Sequence, residues 1–262
     1  MPNIDKHASG SFSWIELATT DQTAAKVFYS GLFGWQPADF PITGSDQVYT
    51  IFQIEGRDAA AGYTIHGPMA AQGVPPHWGL YVATASADAS AKRVPAAGGK
   101  VLADPFDVSD FGRMAVFQDP TGANFAVWQA GKNIGTGIAG VPGTLCWADL
   151  STPDQAAAAA FYAAVFGWEA TPGQDTSGYL HIKNGEAFIG GIPAAHQRNA
   201  NVPPHWIAYF QVSNCDTSVA KAKELGAAVF MEPFTMDGVG RMAVVADPQG
   251  AVFSVFQPMP HQ

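Results

Sequence analysis

The chain has 262 residues, of which 47% are hydrophobic and 13% charged. At roughly 100–200 residues per domain, that length accommodates one or two domains with a sizeable buried core. Thirteen Lys and Arg face 22 Asp and Glu, for a net charge of −9 without any basic run. This leaves a nucleic-acid backbone no electrostatic partner. No apolar run approaches the ~18 residues of a membrane-spanning helix. The opening MPNIDKHASGSFSW has no cationic stretch followed by an apolar one, so no secretory signal is visible, and a cytoplasmic location is expected. Cys146 and Cys215 are far apart and read as inert small hydrophobes in a reducing compartment.

In chain order, Ser13 to Ala18 alternates as a strand, with Trp14, Glu16 and Ala18 on one face and Ile15 and Leu17 on the other. Thr20-Asp21 is an N-cap signal, and the amphipathic helix it starts runs through Phe28 and Tyr29. Short strands are predicted up to about Ile65. The pattern then restarts with a strand at 77–83, a helix at about 86–97, Ala-Gly-Gly punctuation at 97–99, and strands near 100–103, 113–118 and 124–129. The unit is therefore strand–helix–strand–strand–strand. Glycines 131, 135, 137, 140 and 143 with Pro142 read as a linker.

After the linker the sequence repeats itself. Phe28-Tyr29…Phe33-Gly34-Trp35 returns as Phe161-Tyr162…Phe166-Gly167-Trp168, an offset of 133 residues. Pro75-Pro76-His77-Trp78 returns at 203–206, Gly112-Arg113-Met114-Ala115-Val116 at 240–244, and Asp119-Pro120…Gly122 at 247–250, each offset by 128. The drop of five residues is a surface-loop difference between Trp35 and Pro75. Four motifs repeated in order mark a tandem duplication. The expected domains are 1–132 and 133–262, and the chain holds four strand–helix–strand–strand–strand modules.

These motifs resemble the vicinal oxygen chelate superfamily, which includes glyoxalase I, bleomycin-resistance proteins, fosfomycin-resistance enzymes and extradiol dioxygenases. The resemblance covers residues 12–129 and 144–257. It implies an α+β fold of two tandem domains, each made of two βαβββ modules whose curved sheet has a concave ligand face. It leaves open whether modules pair within a copy or across copies. Metal-dependent members place His, Gln or Glu at the start of the first strand and on the last strand of each module. The first-strand position lies seven residues before the helix-capping Asp and falls on Trp14 and Trp147. The last-strand positions fall on Ala126 and Ser254, and around Ala61-Gly62-Tyr63 and Gly190-Gly191-Ile192. Only His77 and His205, which open the second modules, offer a metal donor. The resemblance thus implies no metal site in this sequence. No cofactor is expected, with a divalent metal the disfavoured exception, since zinc needs three or four protein ligands.

Alternation places Trp14, Glu16, His77 and Tyr81 on the concave face of the first copy. Trp147, Asp149, His205 and Tyr209 take the same places in the second. A carboxylate within an apolar strand needs a partner, and His77 and His205 or Arg113 and Arg241 are the candidates. Glu16 with His77, and Asp149 with His205, are candidate acid/base pairs. Trp14, Tyr81, Arg113, Trp147, Tyr209 and Arg241 are candidate substrate contacts. Each also has a structural reading: His77 and His205 as hydrogen-bonders, Arg113 and Arg241 as salt-bridge partners. Trp78, Trp206, Phe125 and Phe253 alternate onto the helix-covered face as core, Phe28 and Phe161 lie on the helix face that meets the sheet, and the Asp-Pro motifs read as hairpin turns. Three functions compete: a metal-independent enzyme acting on a carbonyl-containing or aromatic metabolite, a sequestering protein of the bleomycin-resistance type, and a metal-dependent lyase, isomerase or dioxygenase with a non-standard ligand set. The expected partner is a small molecule, with no nucleic acid and no membrane, in a monomer or homodimer.

Overall fold

The computed structural model describes residues 3–42, 44–173 and 176–259. In the first copy, β1 (Phe12–Thr19) leads into α1 (Gln22–Phe33), β2 (Gln36–Pro41), β3 (Val48–Ile54) and β4 (Arg57–Thr64). A short helix α2 (Gly67–Ala71) connects to β5 (His77–Ala83), α3 (Ala87–Ala96), β6 (Lys100–Val108), β7 (Gly112–Gln118) and β8 (Asn124–Ala130). The second copy runs β9 (Leu145–Ser151), α4 (Gln155–Phe166), β10 (Glu169–Pro172), β11 (Leu180–Asn184) and β12 (Ala187–Ile192). It ends with β13 (His205–Gln211), α5 (Cys215–Glu224), β14 (Ala228–Met236), β15 (Gly240–Ala246) and β16 (Val252–Pro258).

Asp21 and Asp154 cap α1 and α4 by accepting from the backbone N–H of Ala24 and Ala157, and left-handed Gly34 and Gly167 close the same helices. Ser86 and Asn214 cap α3 and α5 in the same way. The α+β architecture follows directly. Each copy forms one curved, unclosed eight-stranded sheet, ordered β2-β3-β4-β1-β5-β8-β7-β6 in the first and β10-β11-β12-β9-β13-β16-β15-β14 in the second.

Modules pair within a copy, because β1 lies antiparallel to β5 and β9 to β13. The helix-covered faces meet across copies. One apolar core contains Phe28, Trp78 and Phe125 together with Phe161, Trp206 and Phe253. Helix α1 packs on α5, and α3 on α4. The Asp-Pro turns lock this junction. One oxygen of Asp119 accepts from the backbone N–H of Thr121, Gly122 and Ala123, while the other accepts from Tyr162 of the second copy at 3.1 Å. Tyr29 donates to Asp247 at 2.9 Å in the reciprocal bond. The turns are structural, as expected, and they also tie the copies together.

The five-residue difference divides in two. Pairing Glu16 with Ala61 and Asp149 with Gly191 makes β4 and β12 equivalent at an offset of 130. Three residues are therefore lost between β2 and β3, and two more where α2 is replaced by a 3-10 turn at Ala195–Gln197. No helix among the described residues is long and apolar enough to cross a membrane.

Candidate functional site

The concave face of each sheet is centred on the antiparallel pair of first strands. Trp14 lies opposite Tyr81 and Glu16 opposite Gly79; Trp147 lies opposite Tyr209 and Asp149 opposite Ile207. Five residues before the caps Asp21 and Ser86 stand Glu16 and Tyr81, so carboxylate and phenol occupy equivalent positions of the two modules. Asp149 and Tyr209 stand five residues before Asp154 and Asn214 in the same relation.

In the first copy, Tyr81 donates to Glu16 Oε1 at 2.8 Å and Tyr49 donates to Oε2 at 2.5 Å. The Trp14 indole N–H donates to the Tyr49 hydroxyl at 2.9 Å. In the second copy, Tyr209 donates to Asp149 Oδ2 at 2.7 Å and Tyr179 to Oδ1 at 2.5 Å. The Trp147 N–H is shared between Asp149 Oδ1 at 3.0 Å and the Tyr179 hydroxyl at 2.8 Å. Each carboxylate thus sits in a cage of phenols and an indole. Short O–H···O⁻ bonds of this kind are stronger than neutral ones and suit an ionised acceptor.

Burial pushes the Glu16 carboxyl above its ordinary range, opposed by the bonds from Tyr49 and Tyr81. Burial likewise raises Asp149, opposed by Tyr179, Tyr209 and Trp147 and by the nearby His181. The phenols themselves are held far above their usual range, first by burial and then by the adjacent carboxylate. A carboxyl raised on folding stabilises the native state below its unfolded pKa, and that contribution is lost as pH rises through the folded value. The stability difference between the native chain and the Glu16→Gln/Asp149→Asn variant should therefore fall as pH increases from the ordinary carboxylate range toward neutrality. Urea unfolding of both proteins across that window checks this. A difference that grows with pH would show that the cages lower the carboxyl pKa instead.

The expected histidine and arginine partnerships are corrected by this geometry. His77 Nδ1 bonds the Pro75 carbonyl oxygen at 2.8 Å and His205 Nδ1 that of Pro203 at 2.7 Å. Counting seven residues back from the caps Ser86 and Asn214 reaches Gly79 and Ile207, not His77 and His205. The histidines lie one pleat repeat before those positions, as the first residues of β5 and β13. Arg113 shares the helix-covered side with Ala115 and Phe117, and its guanidinium pairs with Asp88 of α3 at 3.0 Å and with Asp107 at 2.9 Å. Arg241 pairs with Asp216 of α5 at 2.7 Å. Neither arginine reaches the carboxylate cages; both tie a helix to the sheet edge.

Sequence reading missed Tyr49, Tyr179 and His181. Tyr49 lies on β3 and Tyr179 directly precedes β11, and no local pattern reveals the register of these strands with the first strands. The positions that family metal ligands would take hold Trp14, Ala61, Gly79 and Ala126 in the first copy. In the second they hold Trp147, Gly191, Ile207 and Ser254. Among the described residues no three His, Cys, Asp or Glu side chains converge. Both oxygens of each caged carboxylate are already bonded, so this donor set does not fit a divalent metal.

Comparison with known proteins agrees with the fold. Residues 11–127 match the family model described as Glyoxalase/Bleomycin resistance protein/Dioxygenase superfamily, and residues 147–256 match one described as Glyoxalase-like domain. The glyoxylase-named protein CFP32 of Mycobacterium tuberculosis (strain CDC 1551 / Oshkosh) is 41% identical over 267 residues, covering 100% of both chains. The anthracycline biosynthesis protein DnrV of Streptomyces peucetius is 39% identical over 268 residues, 97% of this chain and 95% of that one. Among solved structures, the Mn(II)-bound glyoxalase of Novosphingobium aromaticivorans superposes with a TM-score of 0.67 at 17% identity, over 96% of this chain and 83% of that one. The 2,3-dioxygenase LapB of Pseudomonas sp. KL28 gives 0.65 at 15% identity, over 98% and 95%.

Proposed function

This chain belongs to the Glyoxalase/Bleomycin resistance protein/Dioxygenase superfamily, and from that premise we propose that each concave face binds a flat, oxygen-bearing aromatic molecule without a metal ion. The observation that carries the reading is the cage kept in both copies although its carboxylate differs: Glu16 with Tyr49 and Tyr81, Asp149 with Tyr179 and Tyr209. A carboxylate bonded only by neutral donors in a buried setting costs stability, so its retention in both halves of the duplication supports a use for the position. The surroundings are aromatic. Trp14 and Trp128 pack with Tyr81 and Met114. Phe106 and Phe234, 46% and 37% exposed, stand on the outer strands opposite Met114 and Met242. The two exposed phenylalanine rings offer stacking area beside the buried aromatic residues of the cages. The relative that acts in anthracycline biosynthesis supports the same ligand class, since anthracyclines are flat polycyclic quinones.

A second reading, acid/base catalysis on such a ligand, draws on the upward-shifted Asp149 and the two phenols within hydrogen-bond reach of it. A buried carboxyl held above its ordinary range gives up its proton less readily than a free one, which suits an acid/base group. One experiment addresses both. Protein purified without chelator is titrated with chrysazin, a dihydroxyanthraquinone, with tryptophan fluorescence and metal content recorded before and after EDTA dialysis. Saturable quenching indifferent to EDTA, with metal well below one ion per chain, is expected. Quenching that disappears on dialysis and returns with a divalent metal would overturn the metal-free reading. Chemical change of the bound chrysazin would favour catalysis over sequestration.

A further inference from the structure

The two concave faces are equivalent in their cages but not in what surrounds them. On β3 the residues sharing the face of Tyr49 are Ile51 and Gln53; on β11 those sharing the face of Tyr179 are His181 and Lys183. In the first copy Gln53 is occupied, donating to Asp58 at 2.8 Å. The register partner of Lys183 is instead Phe188, and the ammonium lies 4.7 Å above its ring. The His181 ring stands edge-on to Tyr179 at 5.0 Å, to Phe188 at 5.5 Å and to Trp147 at 6.2 Å. Among the described residues neither His181 nor Lys183 makes a hydrogen bond or ion pair, although Glu169 is the register partner of Lys183 on β10.

We propose that the second site is selective for a flat aromatic carrying a negative charge, with His181 and Lys183 as the residues that set this specificity, whereas the first site takes a neutral counterpart. The inference rests on the ligand class proposed above. Charge and ring placement carry it. A ring laid against Trp147 and Phe188 would bring a carboxylate or phenolate on its edge to two uncommitted cationic or N–H donors. Donors aligned with a charged acceptor give the stronger class of hydrogen bond. In the first copy an anion at the same place would meet Ile51, an already bonded Gln53 and the Asp58 carboxylate. That arrangement repels it. Asp149 does not defeat the scheme, because both of its oxygens are already bonded by Trp147, Tyr179 and Tyr209.

The test uses two matched probes, neutral chrysazin and rhein, the same ring system bearing one carboxylate. In protein carrying isotope-labelled tryptophan, the indole N–H resonance of Trp147 reports the second site by NMR and that of Trp14 the first. Rhein is expected to bind that site at least about tenfold tighter than chrysazin, as a charge-assisted bond allows. The preference should vanish in His181→Ile/Lys183→Gln, which installs the residues of the first copy. The reverse exchange, Ile51→His/Gln53→Lys, read through the Trp14 indole resonance, should confer a rhein preference on the first site. If both probes bind and neither exchange moves their ratio, the specificity assignment is overturned while the ligand class stands. If neither probe shifts either resonance, the ligand class fails and this inference fails with it.

Discussion

Replacing Phe28 with Ala should cost about 3–5 kcal/mol of folding stability, the usual range for a buried phenylalanine. Its side chain is 1% exposed and its ring meets Tyr29 at 4.9 Å and Phe253 of the second copy at 6.3 Å. Phe161, 2% exposed, makes the reciprocal contact with Phe125 of the first copy at 6.0 Å. Close-packed rings leave no neighbour free to collapse into the vacated space, so the cavity term adds to the transfer term. Because each ring spans the junction, the loss should lower the unfolding midpoint of both copies together. Denaturation followed by far-ultraviolet circular dichroism and tryptophan fluorescence checks this. A loss below about 1 kcal/mol, well under the range for such a deletion, would place these rings outside the core.

Gly191→Ala should abolish ligand binding at the second site while leaving the fold in place. A Cβ built on Gly191 would lie 1.9 Å from the Tyr179 hydroxyl oxygen and 2.1 Å from its Cζ, so the phenol must swing away and leave Asp149 short of a donor. The first copy tolerates Ala61 at the corresponding position because Glu16 is one methylene longer than Asp149 and carries its carboxyl out to Tyr49. Residue pairs that compensate in this way are strongly non-additive. Binding lost in Gly191→Ala should therefore return in Gly191→Ala/Asp149→Glu, measured by the shift of the Trp147 indole N–H resonance on adding chrysazin. Equal binding by the single variant and the native chain would show that the Tyr179–Asp149 bond plays no part in the site. A double variant as weak as the single one would show that side-chain length is not what balances Ala61 against Glu16.

Both predictions depend on pairings of different kinds, and the sequence displayed them unequally. The Phe-Tyr and Phe-Gly-Trp repeats, the capping Asp residues and the alternation of Ser13 to Ala18 are local signals, and they place α1, α4, β1 and β9 correctly. Glu16, Trp14 and Tyr81 were legible on one face by alternation alone, as were their counterparts in the second copy. Of the two readings open for His77 and His205, the structure shows the hydrogen-bonding one, to the carbonyls of Pro75 and Pro203. Arg113 and Arg241 likewise take the salt-bridge reading, because strand parity puts them with Ala115 and Phe117, or Ala243 and Val245, on the helix side.

By itself, then, the sequence determined the duplication, the α+β class, the residues of the core and the strands that line the concave face. These rest on short-range periodicity and on capping chemistry, which each segment carries regardless of its neighbours. Only the tertiary structure decided which modules pair, that the two copies share one core through Tyr29–Asp247 and Tyr162–Asp119, and that tyrosines rather than histidines hold the carboxylates. Those outcomes turn on strand register and on contacts between residues 30 to 218 positions apart. A one-residue slip in register exchanges the two faces of a strand, and nothing within the strand itself forbids it. What forbids it here is the packing of a ring such as Tyr179 over Gly191, a fit that exists only once β9, β11 and β12 lie side by side.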